Sequence, residues 1–342
     1  MKFTIAKEQL IHGLQAVQNI VSSRTTLPVL SNVLLRGENN RLELTATDLD
    51  VTVSCGVGAE INKAGAVTVP VKRLFGIVRE LGNSEVEIEV DEKNACKIKT
   101  GASFYRLNGL AAEEFPPVAN FSEKNKIIVP QEKIKGMLRR TSFAVSTDET
   151  RYVLNGIYMS LRDQKVTMVA TDGRRLALTD EEVEVSQESQ AEFIVPTKAI
   201  NELNRLLQAK GEVEIRFTEN QAYFALKTEE GGSIVVITKL VEGNYPNYKQ
   251  VIPAEAAERV PLAREELLQA LGPINDTNAV PWTMFNDKVH MGFFDVYDQY
   301  ILNILYHPSV RAGMKRDEVR AVLPRVLPAV RAWVARVNNL AP

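Results

Sequence analysis

Phe3 and Ile5 are apolar between polar neighbours, and from Leu10 to Leu14 the apolar spacing stretches to that of a helix. The same handover recurs at Val67-Thr68-Val69 with Leu74 and Val78, and at Ile127 and Val129 with Ile134 and Leu138. Period two marks a half-buried strand and the longer spacing an amphipathic helix, so the unit is strand, helix, then more strands. Leu42-Glu43-Leu44, Val86-Glu87-Ile88-Glu89-Val90 and Val213-Glu214-Ile215-Arg216-Phe217 supply those further strands. Their alternation leaves one sheet face solvated and packs the other under helices.

The pattern repeats at an offset of 124, which brings Val33 and Leu35 onto Ile157 and Met159, and Ala46-Thr47-Asp48 onto Ala170-Thr171-Asp172. With small slippage, Val69-Pro70-Val71-Lys72 meets Val195-Pro196-Thr197-Lys198, and Phe115-Pro116 meets Tyr245-Pro246. A weaker repeat at offset 64 divides the first domain into two similar halves. The organisation expected is one domain over 1–123 and a second over 124–253. A third copy starts over 254–271, where Val260, Leu262, Leu267 and Leu271 match the opening pattern, and Gly272-Pro273 ends it. Residues 272–342 form a divergent tail predicted to be helical, with an apolar stripe from Val319 to Val334 that Pro324 and Pro328 should kink or split in two.

The chain has 342 residues, enough for two or three domains of about 150 each. Lys plus Arg is 41 against 43 for Asp plus Glu, a net charge of −2, so any basic surface must be local. Cys55 and Cys96 have no zinc or disulfide spacing, which points to no metal and a reducing compartment. The start of the chain has no apolar leader and no run of 18 apolar residues occurs, which reads as cytoplasmic with no membrane partner.

Positive charge gathers on the predicted helices. Segments 71–81, 131–140 and 197–209 hold nine basic residues against Glu80, Glu132 and Glu202. Acidic residues concentrate in strands, at Glu85, Glu87 and Glu89 and again at Glu181 and Glu182. A row of such helices suits sequence-independent phosphate contacts, although solvated helix faces have the same composition. Nothing marks an enzyme: Gly-x-Gly-x-x-Gly, phosphate-loop, His-Glu-x-x-His and Gly-x-Ser-x-Gly motifs are absent from the sequence, and no cofactor is implied. Asp48 and Asp50 read as turn caps in preference to metal ligands.

Read together and in order, Met1-Lys2-Phe3-Thr4-Ile5, Thr26-Leu27-Pro28-Val29-Leu30, Thr45-Ala46-Thr47-Asp48-Leu49, Arg151-Tyr152 with Leu154-Asn155-Gly156, Ala170 to Ala177 and Lys239 to Tyr248 resemble the bacterial DNA polymerase sliding clamp, the beta subunit of the replicative polymerase. The resemblance covers residues 1 to about 271. It implies an α+β DNA-clamp fold, with tandem domains of two strand-helix-strand repeats and helices on one face of curved antiparallel sheets. It implies a non-catalytic homo-oligomeric ring that encircles duplex DNA and tethers the polymerase, with the clamp loader and other clamp-binding-motif proteins as partners. Arg24, Lys72, Arg73, Arg151, Tyr152 and Lys198 match DNA-facing positions. Leu154, Thr171, Gly173, Arg174, Leu176, Pro246 and Val251 match the wall of a partner-peptide pocket. Tyr105 and Leu107 match the first-domain side of a subunit interface and are expected to form an exposed apolar edge.

The tail stands where the family has its third domain, which puts ring closure at issue. An alternative is a two-domain adaptor that binds clamp-partner peptides without encircling DNA. A ring of three two-domain subunits is a further option, and it needs an interface between first and second domains that the sequence alone does not reveal.

Overall fold

A computed structural model describes residues 1–21, 27–82, 85–119, 121, 126–183, 190–227, 232–252, 309, 314 and 316–337. The strand-helix-strand unit occurs four times. In the first repeat it runs β1 (Lys2–Ala6), α1 (Lys7–Val17), β2 (Asn32–Glu38), β3 (Arg41–Thr47), β4 (Val51–Gly58) and β5 (Glu60–Lys63). It then runs β6 (Gly65–Pro70), α2 (Val71–Glu80), β7 (Glu85–Val90), β8 (Ala95–Thr100) and β9 (Ser103–Asn108). The second repeat follows with β10 (Ile127–Pro130), α3 (Gln131–Thr141), β11 (Gly156–Arg162), β12 (Lys165–Thr171) and β13 (Leu176–Glu182). Its second half is β14 (Ala191–Pro196), α4 (Thr197–Leu206), β15 (Glu212–Phe217), β16 (Gln221–Lys227) and β17 (Ser233–Lys239).

Each helix places its apolar stripe on the sheets. Val71, Leu74 and Val78 of α2 are buried, as are Ala199, Ile200, Leu203 and Leu206 of α4. They join Phe3, Ile5, Leu35, Leu44, Ile88 and Phe224 in one continuous core. Fully burying each large aliphatic side chain contributes about 1.5–3 kcal/mol, so the repeated stripe is what orders the helices. Helices α2, α3 and α4 each begin directly after a proline, at Pro70, Pro130 and Pro196, with no side-chain cap. At α3 the buried Gln131 ties the helix start to the neighbouring segments: its Nε2 donates to the carbonyls of Glu212 (3.2 Å) and Lys227 (2.8 Å), and its Oε1 accepts from the Gln208 amide (2.9 Å). Cys55 and Cys96 are free and buried, and burial pushes their thiols up to about 11 and about 12.

All named strand ladders are antiparallel. They form a five-stranded sheet β5-β1-β7-β8-β9, a four-stranded sheet β13-β12-β11-β14, and an eight-stranded sheet β10-β15-β16-β17-β4-β3-β2-β6. The eight-stranded sheet crosses from one repeat to the other through β17 and β4, in a register from Ser233↔Gly56 to Thr238↔Val51. Four side chains bind this joint. Lys198 on α4 pairs with Asp48, Lys239 Nζ reaches Asp50 at 3.0 Å, and Arg41 donates to Ser233 Oγ at 2.7 Å. Arg205 on α4 donates to the carbonyls of Gln15 (3.1 Å) and Ala16 (2.7 Å) at the end of α1. With α1 against α2 and α3 against α4, the helices run in a continuous row α2-α1-α4-α3.

The chain divides into compact units of Met1–Tyr248 and Lys249–Pro342. In the second, α5 (Arg316–Val337) is one continuous helix that contains both Pro324 and Pro328, so of the expected kink or split the split does not occur. The two prolines are four residues apart and both exposed, which puts the lost backbone bonds on the side open to water, while Val326 and Val330 are buried. The predicted third-copy start at 254–271 lies outside the described residues, as does all of the tail except 309, 314 and 316–337. No described helix is long and apolar enough to cross a membrane.

Candidate DNA and partner surfaces

The basic residues are not equivalent. On α3, Lys133 donates to the Glu182 carbonyl (3.0 Å) and lies 3.8 Å from Glu181, and Arg140 bonds Thr179 and Glu181 at 3.1 and 2.9 Å. Lys135 donates to the Leu207 carbonyl at 2.8 Å. The acidic strand β13 therefore absorbs much of the charge of α3. Lys198 is exposed but bound to Asp48. Lys72 and Arg73 at the start of α2 are exposed and make no ion pair among the described residues. The accessible positive charge of the predicted set thus concentrates on α2. Arg24 lies outside the described residues.

A second region gathers around the turn after β12. Thr171 Oγ1 donates to the Arg175 carbonyl at 2.7 Å and accepts from the Gly173 amide at 3.1 Å. Asp172 Oδ1 accepts from the amides of Arg174 (2.9 Å) and Arg175 (3.0 Å), and Oδ2 from Arg175 Nε at 3.0 Å. Burial alone would raise the Asp172 carboxyl, but these bonds outweigh it and hold the group below the usual carboxylate range. Gly173 takes φ +85°, and a Cβ there would stand 3.1 Å from Arg151 Nη1. Arg151 itself donates to the Asp172 carbonyl at 3.5 Å and faces Asp148 at 3.7 Å.

The irregular segment following β17 returns alongside this turn. The Val241 amide donates to the Ile194 carbonyl (3.0 Å), and a Cβ on Gly243, at φ +115°, would meet Val153 at 2.9 Å and Tyr152 at 3.7 Å. Tyr245 stacks on Tyr158 at 5.2 Å and donates to the Val169 carbonyl at 3.4 Å, while Tyr248 lies 5.8 Å from Tyr158. Arg151, Tyr152, Thr171, Gly173 and Arg174 are thereby brought onto one surface with the 241–246 segment. Leu176 is half-buried and Leu154 buried, whereas Gly173, Arg174 and Pro246 are exposed. Val251, also exposed, belongs to the second unit.

The third set needs a correction. Strand β9 is a sheet edge and Tyr105 is 39% exposed, but Leu107 is only 7% exposed and belongs to the core. It pairs with Cys96 on the covered face of β8, so the exposed apolar group beside Tyr105 is Phe104, at 56%. Sequence reasoning also missed Asp48 as the partner of Lys198, and the Tyr158-Tyr245-Tyr248 cluster. Recurrence of Ala-Thr-Asp in both repeats was the available signal for Asp48.

The architecture defines a protein of tandem clamp domains with a basic helix row and a separate tyrosine-walled surface. Residues 1–119 match the family model for the DNA polymerase III beta subunit, N-terminal domain, and residues 128–247 match that of its central domain. A beta sliding clamp of Chlamydia muridarum is 35% identical over 271 residues, which are 79% of this chain and 73% of that protein. Among solved structures, the DNA polymerase sliding clamp from Bacillus subtilis has a TM-score of 0.73 at 30% identity, over 79% of this chain and 72% of that one. The sliding clamp of Bartonella birtlesii bound to griselimycin has a TM-score of 0.69 at 40% identity, over 74% and 68%. The chain belongs to the beta sliding clamp family, the beta subunits of bacterial DNA polymerase III.

Proposed function

We propose that this chain surrounds duplex DNA as a sliding clamp and holds the replicative polymerase on it, doing no chemistry of its own. Clamp domains over 1–123 and 124–253 carry the reading. The observation that supports it is the helix row α2-α1-α4-α3, presented jointly by two repeats of this family, with Lys72 and Arg73 exposed at its α2 end. Exposed cations on helices attract phosphates through water without fixing a register, which holds a duplex yet lets it slide. Arg24, Arg151, Tyr152 and Lys198 complete the DNA-facing set in this reading.

Leu154, Thr171, Gly173, Arg174, Leu176 and Pro246 form, in this reading, the surface that takes short peptides from the polymerase, the clamp loader and other partners. Apolar walls beside a bonded turn suit a peptide anchored by a few side chains. In this reading griselimycin, the ligand of the Bartonella relative, binds the same surface of this chain and serves as its probe. The experiment for encirclement compares retention on covalently closed circular and linear plasmid after loading. Retention on the circle and loss from the linear form is expected, and equal loss from both would overturn encirclement while leaving peptide binding to be measured independently.

A further inference from the structure

Phe143 is an aromatic side chain that the core does not use. It stands in the helical turn Ser142–Ala144 after α3, between the buried Thr141 and Ala144, and is 53% exposed. The same turn follows α1 in the first repeat as Gln18–Ile20, and there the equivalent position holds the exposed Asn19, so the fold does not ask for an aromatic. The guanidinium of Arg175 lies over the Phe143 ring at 5.7 Å from its centre. A guanidinium covers one face of a ring, and the exposure of Phe143 puts the other face in water.

Its surroundings are cationic. Arg139, one turn earlier on α3, and Arg174 are exposed and make no ion pair among the described residues. Arg175 Nε binds Asp172 Oδ2 at 3.0 Å, and the carbonyl of the same Asp172 accepts from Arg151 at 3.5 Å. Next to Arg151 in the chain is Tyr152, 60% exposed, and both already belong to the proposed DNA-facing set. At the positions 124 residues earlier stand Gln15, Asn19, Leu27, Pro28, Asp50 and Val51, with no base and no aromatic among them. The backbone turn is nevertheless the same. Thr47 and Asp48 accept from the amides of Leu49 and Val51 as Thr171 and Asp172 accept from those of Gly173 and Arg175. One frame carries rings and cations in one repeat only, which separates them from the demands of the fold.

We infer that Phe143, with Arg139 and Arg175, binds an unpaired DNA strand: a base stacks on the open face of the ring, and the arginines hold the flanking phosphates. An aromatic platform beside cations suits a single strand, since every base offers a π-face and every nucleotide a negative charge. A duplex cannot use the platform, because each of its bases is covered above and below by its neighbours. An acidic peptide would answer the arginines without using the ring. The inference rests on the proposed function for the source of the strand, an unpaired stretch adjoining the duplex that the clamp holds. Arg174 also belongs to the proposed peptide surface, whereas Phe143 and Arg139 do not, so these two are the positions to change.

Fluorescence anisotropy with a labelled oligothymidylate of about 12 nucleotides tests it. Phe143→Ala should weaken binding roughly 5- to 140-fold, the worth of one stacked base, with the salt slope unchanged. The same substitution should have no effect on an abasic strand of equal length, and Phe143→Trp should keep the affinity. Arg139→Ala should flatten the slope of log affinity against log salt by up to about 0.7, one single-strand phosphate. Melting curves of the three variants should match that of the parent, because both side chains are exposed. No binding of the oligothymidylate, or an equal loss on the abasic strand, would overturn the inference. So would unchanged strand binding by Phe143→Ala; a smaller mass in sedimentation, or lost binding of an acidic peptide, would then give the ring to a second copy or to a peptide. Retention on circular plasmid is scored separately. Its loss with strand binding intact would strike encirclement and leave this site standing, and retention without strand binding would do the reverse.

Discussion

Gly173 lies at φ +85° beneath Arg151, a backbone region where a side chain costs roughly 1–2 kcal/mol. Gly173→Ala should lower unfolding stability by about that amount and weaken griselimycin binding more than it weakens DNA retention; denaturant titration and calorimetry check the two effects. Tyr245 responds to pH. Burial, partly offset by a backbone bond from Thr171, pushes its hydroxyl from 10.0 to about 12, and Tyr158 rises to about 12 through burial and then its bond with Glu192. Because the folded pKa is raised, unfolding above pH 10 releases protons that the folded protein keeps. Stability is therefore full below about pH 10 and falls as pH approaches 12. Melting scans from pH 9 to 12 should show a steep decline that Tyr245→Phe makes shallower.

Single elements separate groups that look alike in sequence. On β9, Leu107→Ala should cost about 2–5 kcal/mol by leaving a cavity, whereas Phe104→Ala should change unfolding by less than about 1 kcal/mol. A reversed order in urea titrations would put the wrong residue in the core. On the helices, Lys72→Ala with Arg73→Ala should flatten the slope of log affinity against log salt by up to about 1.8, two phosphate contacts at about 0.9 each. Lys198→Ala should change the slope less, because Asp48 already neutralises that lysine. The alternation that marked β1, β7 and β15 was legible because burial on one sheet face writes itself into every second residue. Tyr105 and Leu107 show its limit: they share a face, and only the neighbouring strand decides which is covered. Pairing of α3 bases with the acids of β13 was likewise invisible, since both runs read as solvated charge until the fold sets them together.

At the scale of the molecule, internal repetition carried most of what the sequence revealed. The 124-residue offset, the Ala-Thr-Asp turns and the Val-Pro strand ends specify two similar domains because equivalent positions meet equivalent packing demands. The β17-β4 joint was not legible, since a partner strand across the repeats leaves no local period.

That joint also governs how the chain is made. Strand β4 leaves the ribosome about 180 residues before β17, which at 5–20 residues per second is an interval of roughly 9–36 s. Throughout it the first repeat offers the bare edge of what becomes an interior strand, with buried Val51 and Val53 beside it. Nascent chains on neighbouring ribosomes of one message hold that edge at the same time as others complete β17, so the strand exchange that builds one joint can occur between chains before it occurs within one.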